Sequence, residues 1–258
     1  MRVIVINDIH SNSYALNSIV EHLQSIEFDK IIILGDLFTY GVNVIETLDL
    51  LIKLNKNFDC VFIKGNHDQI YFDYQNGVPF EYKPFPPFIL ESVHFNAKLL
   101  PSNLINQFDW VDNYIFNDVI FAHANLFPYG DWSYLNTEDD FLKNCNELII
   151  RNYRGAVFGH THRAKYNVYN DLYESTGIKS IESGVDFILC KAFKFLITNG
   201  SIGQPRGGTA SFLVCEILDA EFKFRSVDIA YDIQAHCDSI SDSSLTFTTK
   251  NRLLNFYR

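Results

Sequence analysis

Five short polar segments of this chain carry side chains that bind metal ions, and each one directly follows an apolar run. They are Asp8-Ile9-His10, Gly35-Asp36, Gly65-Asn66-His67-Asp68, the lone His123, and Gly159-His160-Thr161-His162. The apolar runs are typical of buried strands, and α/β sheets bind their ligands at the turns that follow such strands. The segments offer three carboxylates, one carboxamide and five imidazoles. This mixture suits two adjacent transition-metal ions.

The order of these segments resembles that of the calcineurin-like metallophosphoesterase superfamily, whose pattern is D-x-H, G-D, G-N-H-[DE], a lone His and then G-H-x-H. All five elements occur in that order between positions 8 and 162. A second stretch, 199–206, resembles the G-S-x-G-Q-P-R loop of the small prokaryotic phosphodiesterase and diadenosine-polyphosphatase-like branch. The resemblance implies a dinuclear, metal-dependent phosphoester hydrolase.

The resemblance also implies which side chains bind each ion. Asp36 is expected to bridge the two ions, because the two oxygens of one carboxylate can reach cations about 3.5–4 Å apart. The other expected ligands are Asp8, His10 and His162 on one ion, and Asn66, His123 and His160 on the second. Alternate residues of an extended segment point the same way, so His160 and His162 could face neighbouring ions. Imidazole-rich ligation favours Mn, Fe, Ni or Zn.

Four further residues are candidates for catalysis and substrate binding. His67 is expected to be the general acid that protonates the departing oxygen, while a hydroxide that bridges the ions attacks phosphorus. Asp68 would orient that imidazole, or alternatively cap the segment that follows. Asn12 and Arg163 are candidates to contact the substrate. Arg206 could bind a phosphate or brace its own loop, and bracing is the favoured interpretation.

The chain departs from the superfamily pattern at three points. Ser11 and Ala124 replace glycines that are usual there, which makes the backbone less permissive without removing a ligand. The segment that begins at Gly35-Asp36 lacks the Asp-Arg pair of the Ser/Thr protein phosphatase motif. A protein phosphatase activity of that type is therefore not expected.

Composition limits the other possibilities. The chain has 258 residues, a formal net charge of -10 and 47% hydrophobic residues. One large globular domain over 1–258 is the natural interpretation. The negative charge disfavours nucleic acid as a standing partner. Five cysteines without a C-x-x-C pair are typical of reduced thiols in a cytoplasmic protein. Since no apolar stretch is long enough to span a membrane, we expect no membrane association. The sequence does not indicate the oligomeric state.

The pattern of elements predicts an α/β fold. Apolar runs predict strands at 3–6, 31–34 and 61–63, alternating with two amphipathic helices, the first capped by Ser13. Residues 71–116 interrupt this alternation with prolines and aromatics, so we predict an insertion or cap there, with a short helix near 102–108. Strands are predicted at 119–122, 156–158, 166–169, 178–182, 193–198, 210–217 and 221–229, a helix over 141–149, and helical or irregular tails. The resemblance implies a four-layer α/β/β/α sandwich of two mixed sheets.

The expected function is therefore hydrolysis of a small phosphoester, with a phosphodiesterase or nucleotide-directed hydrolase favoured. A phosphomonoesterase of the same fold is one alternative. A non-catalytic interaction module is another, although every ligand position of the pattern is filled here. Aromatic residues of the insertion are expected to form a satellite core, and some of them could stack on a flat group of the substrate.

Overall fold

The structure, a computed structural model, describes residues 1–78, 85–170, 172–206, 208–219 and 221–257. Thirteen strands are described: β1 Arg2–Ile6, β2 Lys30–Ile33, β3 Cys60–Ile63, β4 Trp110–Val111, β5 Asn113–Phe116, β6 Val119–Ala122, β7 Gly155–Phe158, β8 Lys165–Tyr169, β9 Lys179–Ser180, β10 Asp186–Cys190, β11 Lys194–Thr198, β12 Ser211–Ile217 and β13 Glu221–Asp228. The described helices are α1 Ser13–Leu23, α2 Val44–Asn57, α3 Asn66–Gln75, α4 Pro87–Ala97, α5 Glu138–Ile150, α6 Ile233–Asp242 and α7 Phe247–Leu254.

The strands form two mixed sheets. A seven-stranded sheet has the order β10-β13-β12-β1-β2-β3-β4, in which β1 to β4 are parallel. A six-stranded sheet has the order β5-β6-β7-β11-β8-β9, with β6, β7 and β11 parallel. The alternation of β1, α1, β2, α2 and β3 explains the parallel half, because a crossover helix returns the chain to the same edge.

Side-chain alternation along the strands builds the layers. In β1, Val3 and Val5 face the second sheet, where they pack with residues such as Val157 and Ile197. Ile4 and Ile6 point the other way, into a core shared with α1 and α2. The outer face of the second sheet packs on α5 through Phe141 and Leu148. The predicted four-layer α/β/β/α sandwich of two mixed sheets is thus confirmed.

Several predicted elements differ in the structure. Asn12, not Ser13, caps α1: its side-chain oxygen accepts a hydrogen bond from the backbone N–H of Ala15. A 3₁₀ turn at Leu104–Asn106 stands where a short helix was predicted over 102–108. Strand β10 was not predicted, because its residues are only partly buried and show little alternation.

The predicted insertion over 71–116 is only partly a separate layer. It contains the end of α3 and all of α4, but β4 and β5 join the two sheets. Its segment 79–84 lies outside the described residues. Phe72, Phe108 and Trp110 pack together and on Phe62, within the main hydrophobic core that also contains Ile4 and not in the separate satellite core that was expected.

Of the C-terminal helices, α7 packs against α4, and α6 packs against α1 and α7. The carboxylate of Glu91 in α4 accepts hydrogen bonds from the backbone N–H of Thr246 (2.6 Å), the hydroxyl of Thr246 (2.7 Å) and the hydroxyl of Thr249. Thr246 is the N-cap of α7, so one carboxylate ties the start of this helix to α4. Within the described chain, we find no helix with the length and apolarity that crossing a membrane requires.

Candidate metal centre

The polar segments found in the sequence converge at one rim of the two sheets. They follow β1, β2 and β3 of the first sheet and β6 and β7 of the second. Backbone hydrogen bonds tie neighbouring turns together: the N–H of Asp8 donates to Gly35 (3.0 Å), and the N–H of Gly159 donates to His123 (2.8 Å). Parallel neighbouring strands end at the same edge, which is why residues far apart in sequence meet here.

Left-handed backbone conformations bring five of the candidate ligands into place. The φ angles are 51° at Asp8, 49° at His10, 54° at Asp36, 62° at His160 and 58° at His162. Non-glycine residues rarely adopt this region, and such residues concentrate at functional sites. The expectation that His160 and His162 share an extended segment is therefore wrong: they lie in a bend after β7. Their side chains nevertheless reach the same rim.

Asp8, His10 and His162 form one buried triad whose ligand atoms all lie within 4.8 Å of one another. The Nε2 atoms of His10 and His162 are 3.2 Å apart. His162 Nε2 is 3.3 Å from Oδ1 of Asp8. That oxygen is buried and has no hydrogen-bond donor among the described residues.

Asp36, His123 and His160 form the second buried triad. His123 Nε2 lies 3.1 Å from His160 Nδ1 and 3.4 Å from Oδ2 of Asp36. The side-chain oxygen of Asn66 lies 3.0 Å from the same His123 nitrogen. The structure thus brings Asn66 together with the three residues that the sequence grouped with it.

Each of the four histidines turns one ring nitrogen outward and the other toward its triad. The outward nitrogens donate to backbone carbonyls: His10 Nδ1 to Phe38 (3.1 Å), His123 Nδ1 to Leu34 (2.5 Å), His160 Nε2 to Trp132 (2.9 Å) and His162 Nδ1 to Gln204 (2.7 Å). A carbonyl only accepts, so in a neutral imidazole the inward nitrogen carries a lone pair. Two lone pairs that face each other repel unless a cation lies between them. This arrangement, with the outer nitrogen held by a carbonyl, is that of metal-binding histidines.

Asp36 connects the two triads through a single oxygen. Its Oδ2 lies 3.4 Å from His123 Nε2 and 4.0 Å from His10 Nε2. Its Oδ1 accepts the backbone N–H of His67 (2.8 Å). The sequence suggested one oxygen for each cation, whereas here only Oδ2 faces both triads. Gly65 allows this approach, since a Cβ there would lie 2.2 Å from Oδ1 of Asp36.

Burial and the two carboxylates set the charges of the imidazoles. Burial lowers the pKa of His160 to about 3 and that of His10 well below its usual range, so both rings are neutral near pH 7. Burial has the largest single effect on the pKa of His123 and lowers it, but the charge and hydrogen bond of Asp36, with smaller contributions from Asp8 and the Leu34 carbonyl, together raise this pKa to about 9. A cation in this triad would take the place of that proton, because metal ligands bind in their deprotonated form.

His67 lies beside both triads without belonging to either. It occupies the first turn of α3, and its ring centroid is 5.3 Å from that of His10 and 5.0 Å from that of Tyr40. The side chain is buried, and Nδ1 has no hydrogen-bond partner among the described residues. Burial lowers its pKa. The imidazole is therefore close to the site, and its buried Nδ1 is not engaged by the described residues.

Asp68 does not orient His67. Its two oxygens accept backbone N–H groups from Gly65 (2.9 Å), Asp36 (2.8 Å) and Leu37 (3.0 Å). The carboxylate therefore caps α3 and holds the turn that carries Asp36, which is close to the capping alternative considered from the sequence. Burial and the nearby Asp36 raise the pKa of Asp68 to about 7, although the three N–H donors act to lower it.

The two candidate substrate contacts differ in accessibility. Asn12 is fully buried. Its carboxamide oxygen caps α1 and its nitrogen donates to the carbonyl of Gly203 (3.1 Å), so both polar atoms already have partners within the protein. The exposed Arg163 directly follows His162 and shows no side-chain hydrogen bond within the described chain. Ser11 has a φ of 52°, which fits the usual glycine at this position; Ala124 shows no such conformation.

Residues that sequence reasoning missed line the rim of the site. Tyr134 stacks on the His160 ring with centroids 4.2 Å apart, and Tyr40 packs edge-on against His10 at 4.7 Å. Trp132 holds His160 through its carbonyl. None of them belongs to the five segments. The stretch 125–135, rich in aromatics directly after His123, could have indicated Trp132 and Tyr134, and Tyr40 lies four residues after Asp36.

Comparisons with known proteins agree with this geometry. The model of the calcineurin-like phosphoesterase family matches residues 1–190. An uncharacterised protein of Methanocaldococcus jannaschii is 29% identical over 257 residues, covering 97% of this chain and 93% of that protein.

Two solved structures share the fold over nearly their whole length. A metallophosphoesterase from Sphaerobacter thermophilus superposes with a TM-score of 0.75 at 22% identity, covering 99% of both chains. A hypothetical protein from Pyrococcus horikoshii OT3 has a TM-score of 0.71 at 16% identity, covering 98% of this chain and 97% of its own. At these identities, the two structures bear on the fold alone.

Proposed function

The chain belongs to the calcineurin-like phosphoesterase family, and we propose that its two triads hold a pair of divalent transition-metal cations for hydrolysis of a phosphodiester or nucleotide-like substrate. Family membership and the two His–Asp clusters together make it a metal-dependent phosphoester hydrolase. The observation that carries the proposal is the pair of inward-facing nitrogens in each triad, 3.2 Å apart in one and 3.1 Å in the other.

The proposed ligands follow the two triads. Asp8, His10 and His162 would hold one cation; Asn66, His123 and His160 would hold the second; and Asp36 would contribute Oδ2 to both. Bound there, such cations would activate water as a nucleophile and neutralise charge on the phosphoryl oxygens. Four imidazoles favour Mn, Fe, Ni or Zn over Mg alone.

His67 is the proposed general acid. Its ring lies beside the first triad. The hydrogen bond from the His67 backbone N–H to Asp36 fixes the position of the backbone that carries the imidazole. The ring makes no side-chain hydrogen bond to a described residue, so a proton on it could pass to the departing oxygen without first breaking a bond within the protein. Asp68 acts indirectly in this proposal, by holding the Asp36 turn.

The proposed substrate is small and carries a flat group. Tyr134 presents a ring that is 43% exposed while it stacks on His160, so an aromatic face lies at the edge of the metal centre. Base stacking on an aromatic is worth about 1–3 kcal/mol. The net charge of -10 makes nucleic acid an unfavourable partner. Arg163 stays a candidate substrate contact.

We further propose that the whole chain acts as one domain. One hydrophobic core includes residues from Ile4 to Ile229, and α6 and α7 contact α1 and α4.

A panel of substrates and metals tests the proposed function. Metal-stripped protein would be refilled with Mn, Fe, Ni, Zn or Mg and assayed on matched p-nitrophenyl mono- and diesters and on dinucleoside polyphosphates. We expect activity to return with transition metals and to favour diesters. A preference for monoesters would indicate the phosphomonoesterase alternative, and no activity with any metal would refute the proposal.

A further inference from the structure

The backbone of Arg206 lies beside the first triad, and its guanidinium has no carboxylate partner among the described residues. Its backbone N–H donates to the carbonyl of His162 (3.2 Å), which places the residue directly next to a candidate ligand. No carboxylate lies within ion-pair distance of its side chain in the described part of the chain. In a protein with a net charge of -10, a half-buried arginine with no acidic neighbour is unusual.

The side chain is nevertheless held in place. One terminal nitrogen donates to the side-chain oxygen of Gln204 (3.0 Å), and the guanidinium carbon lies 6.0 Å from the centroid of the Phe256 ring. Tyr40 closes the other side: burial raises the pKa of its hydroxyl, and the hydrogen bond and charge of Arg206 oppose that rise. The group is thus fixed by neutral neighbours, which leaves its charge uncompensated.

Most of its donors are also unused. A guanidinium has five N–H groups; one of them donates to Gln204 and another to the hydroxyl of Tyr40. Nε is buried without a partner among the described residues. An arginine that braced its loop would donate these N–H groups to carbonyls or carboxylates, as Arg151 donates to Leu126 and Glu147. The bracing interpretation favoured from the sequence therefore leaves the side chain unexplained.

The position of Tyr40 connects this cation to the reaction site. Its ring lies 4.7 Å from that of His10 and 5.0 Å from that of His67, centroid to centroid. An anion that reaches the first triad and the proposed general acid therefore comes close to Arg206. Guanidinium groups suit phosphate oxygens in geometry and charge.

We propose that Arg206 binds a phosphoryl oxygen of the substrate and is positioned for this by Phe256 of the C-terminal segment. The inference rests on the proposed function, and it makes the residues after α7 part of the substrate site, although they lie far outside the five metal-binding segments. Arg206 contributes binding and orientation, and the proton transfer stays with His67.

Direct binding of inorganic phosphate tests this inference. Calorimetry on metal-loaded protein should show a Kd about 10- to 100-fold higher in Arg206→Gln, as expected for the loss of a charge-assisted hydrogen bond. Metal content should not change, and KM should rise more than kcat falls. Glutamine keeps a donor for Gln204, so the loop bond can persist in the variant.

Arg252→Gln is the matched control. The Arg252 guanidinium carbon lies 5.9 Å from the same Phe256 ring and 5.5 Å from Phe88, but the residue is exposed. A purely structural role for Arg206 predicts that both variants lower Tm and that neither changes the affinity for phosphate. That result would overturn the inference.

A second measurement uses the wild-type protein and so does not depend on folding of a variant. Phenylglyoxal modifies accessible arginines, and mass spectrometry can follow Arg206 and Arg252 in one sample. Phosphate should protect Arg206 and leave Arg252 unprotected. Equal modification with and without phosphate would contradict the inference. A wild-type protein that binds phosphate through Arg206 but hydrolyses no ester would refute the proposed function alone.

Discussion

The histidines of the two triads show how a single hydrogen bond can prepare a side chain for metal binding. His10, His123 and His162 use Nδ1 for a backbone carbonyl, whereas His160 uses Nε2. In each case the carbonyl selects the tautomer whose lone pair points inward. The sequence predicted which histidines gather here. Which nitrogen faces the site depends on the path of distant loops, which no local pattern encodes.

Replacing Asp36 by asparagine should remove most activity and metal. Only Oδ2 of Asp36 faces both triads, so the change removes the one negative charge that both cations would share. Metal analysis should show both sites weakened. Asp8→Asn is the comparison, since Oδ1 of Asp8 faces only His162 and His10. Equal losses of metal in the two variants would contradict a shared Asp36 oxygen.

Replacing His67 by alanine should keep both metals and lower activity by about 10²–10⁴-fold if it is the general acid. The loss should be smaller for esters of p-nitrophenol, because that leaving group departs without a proton. Steady-state rates on leaving groups of graded pKa give the measurement. A loss that is the same for all leaving groups would indicate that His67 only positions the substrate.

At the scale of elements, the turns after the strands are more strained than the sequence suggested. Residues 3–6 and 31–34 are so apolar that they predicted β1 and β2, and the two-sheet architecture followed from the family resemblance. The left-handed conformations at the candidate ligands could not be foreseen, since Asp and His adopt this region more often than most residues but still rarely. They arise because neighbouring turns are tied together by backbone hydrogen bonds.

Asp68→Asn should destabilise the protein more than it alters chemistry. The carboxylate accepts three backbone N–H groups from two turns, and an amide nitrogen in place of one oxygen would leave at least one donor unsatisfied. Each such loss costs about 1–3 kcal/mol. Denaturant unfolding should show the loss of stability. The dependence of the rate on the leaving group should stay like that of the wild-type protein. If it changed as in His67→Ala, the result would indicate that Asp68 orients His67 after all.

At the scale of the whole molecule, one buried histidine should make stability depend on pH. His236 in α6 is fully buried among the rings of Tyr14, Tyr231 and Tyr257, and neither ring nitrogen has a partner in the described chain. Burial lowers its pKa to about 4 from 6.5. Between these values the unfolded chain binds a proton that the folded chain does not. Stability is therefore full above about pH 6.5 and falls as the pH drops toward 4.

The contribution of this histidine is on the order of 3 kcal/mol. His236→Phe should flatten the fall in unfolding free energy between pH 6.5 and 4 relative to wild type, as measured by urea titrations at several pH values. His94→Gln, at an exposed position on α4, serves as the control. Identical pH profiles for wild type and His236→Phe would show that this ring does not titrate as proposed.

The single Asp36 oxygen that faces both triads has a consequence for how cations load. The first cation to bind would neutralise much of the charge that the second also needs. We therefore expect two unequal steps in a binding isotherm of the metal-free protein, with the later step weaker. The more weakly held ion would exchange faster with its surroundings, so a protein prepared in a mixture of metals should tend toward a heterometallic pair.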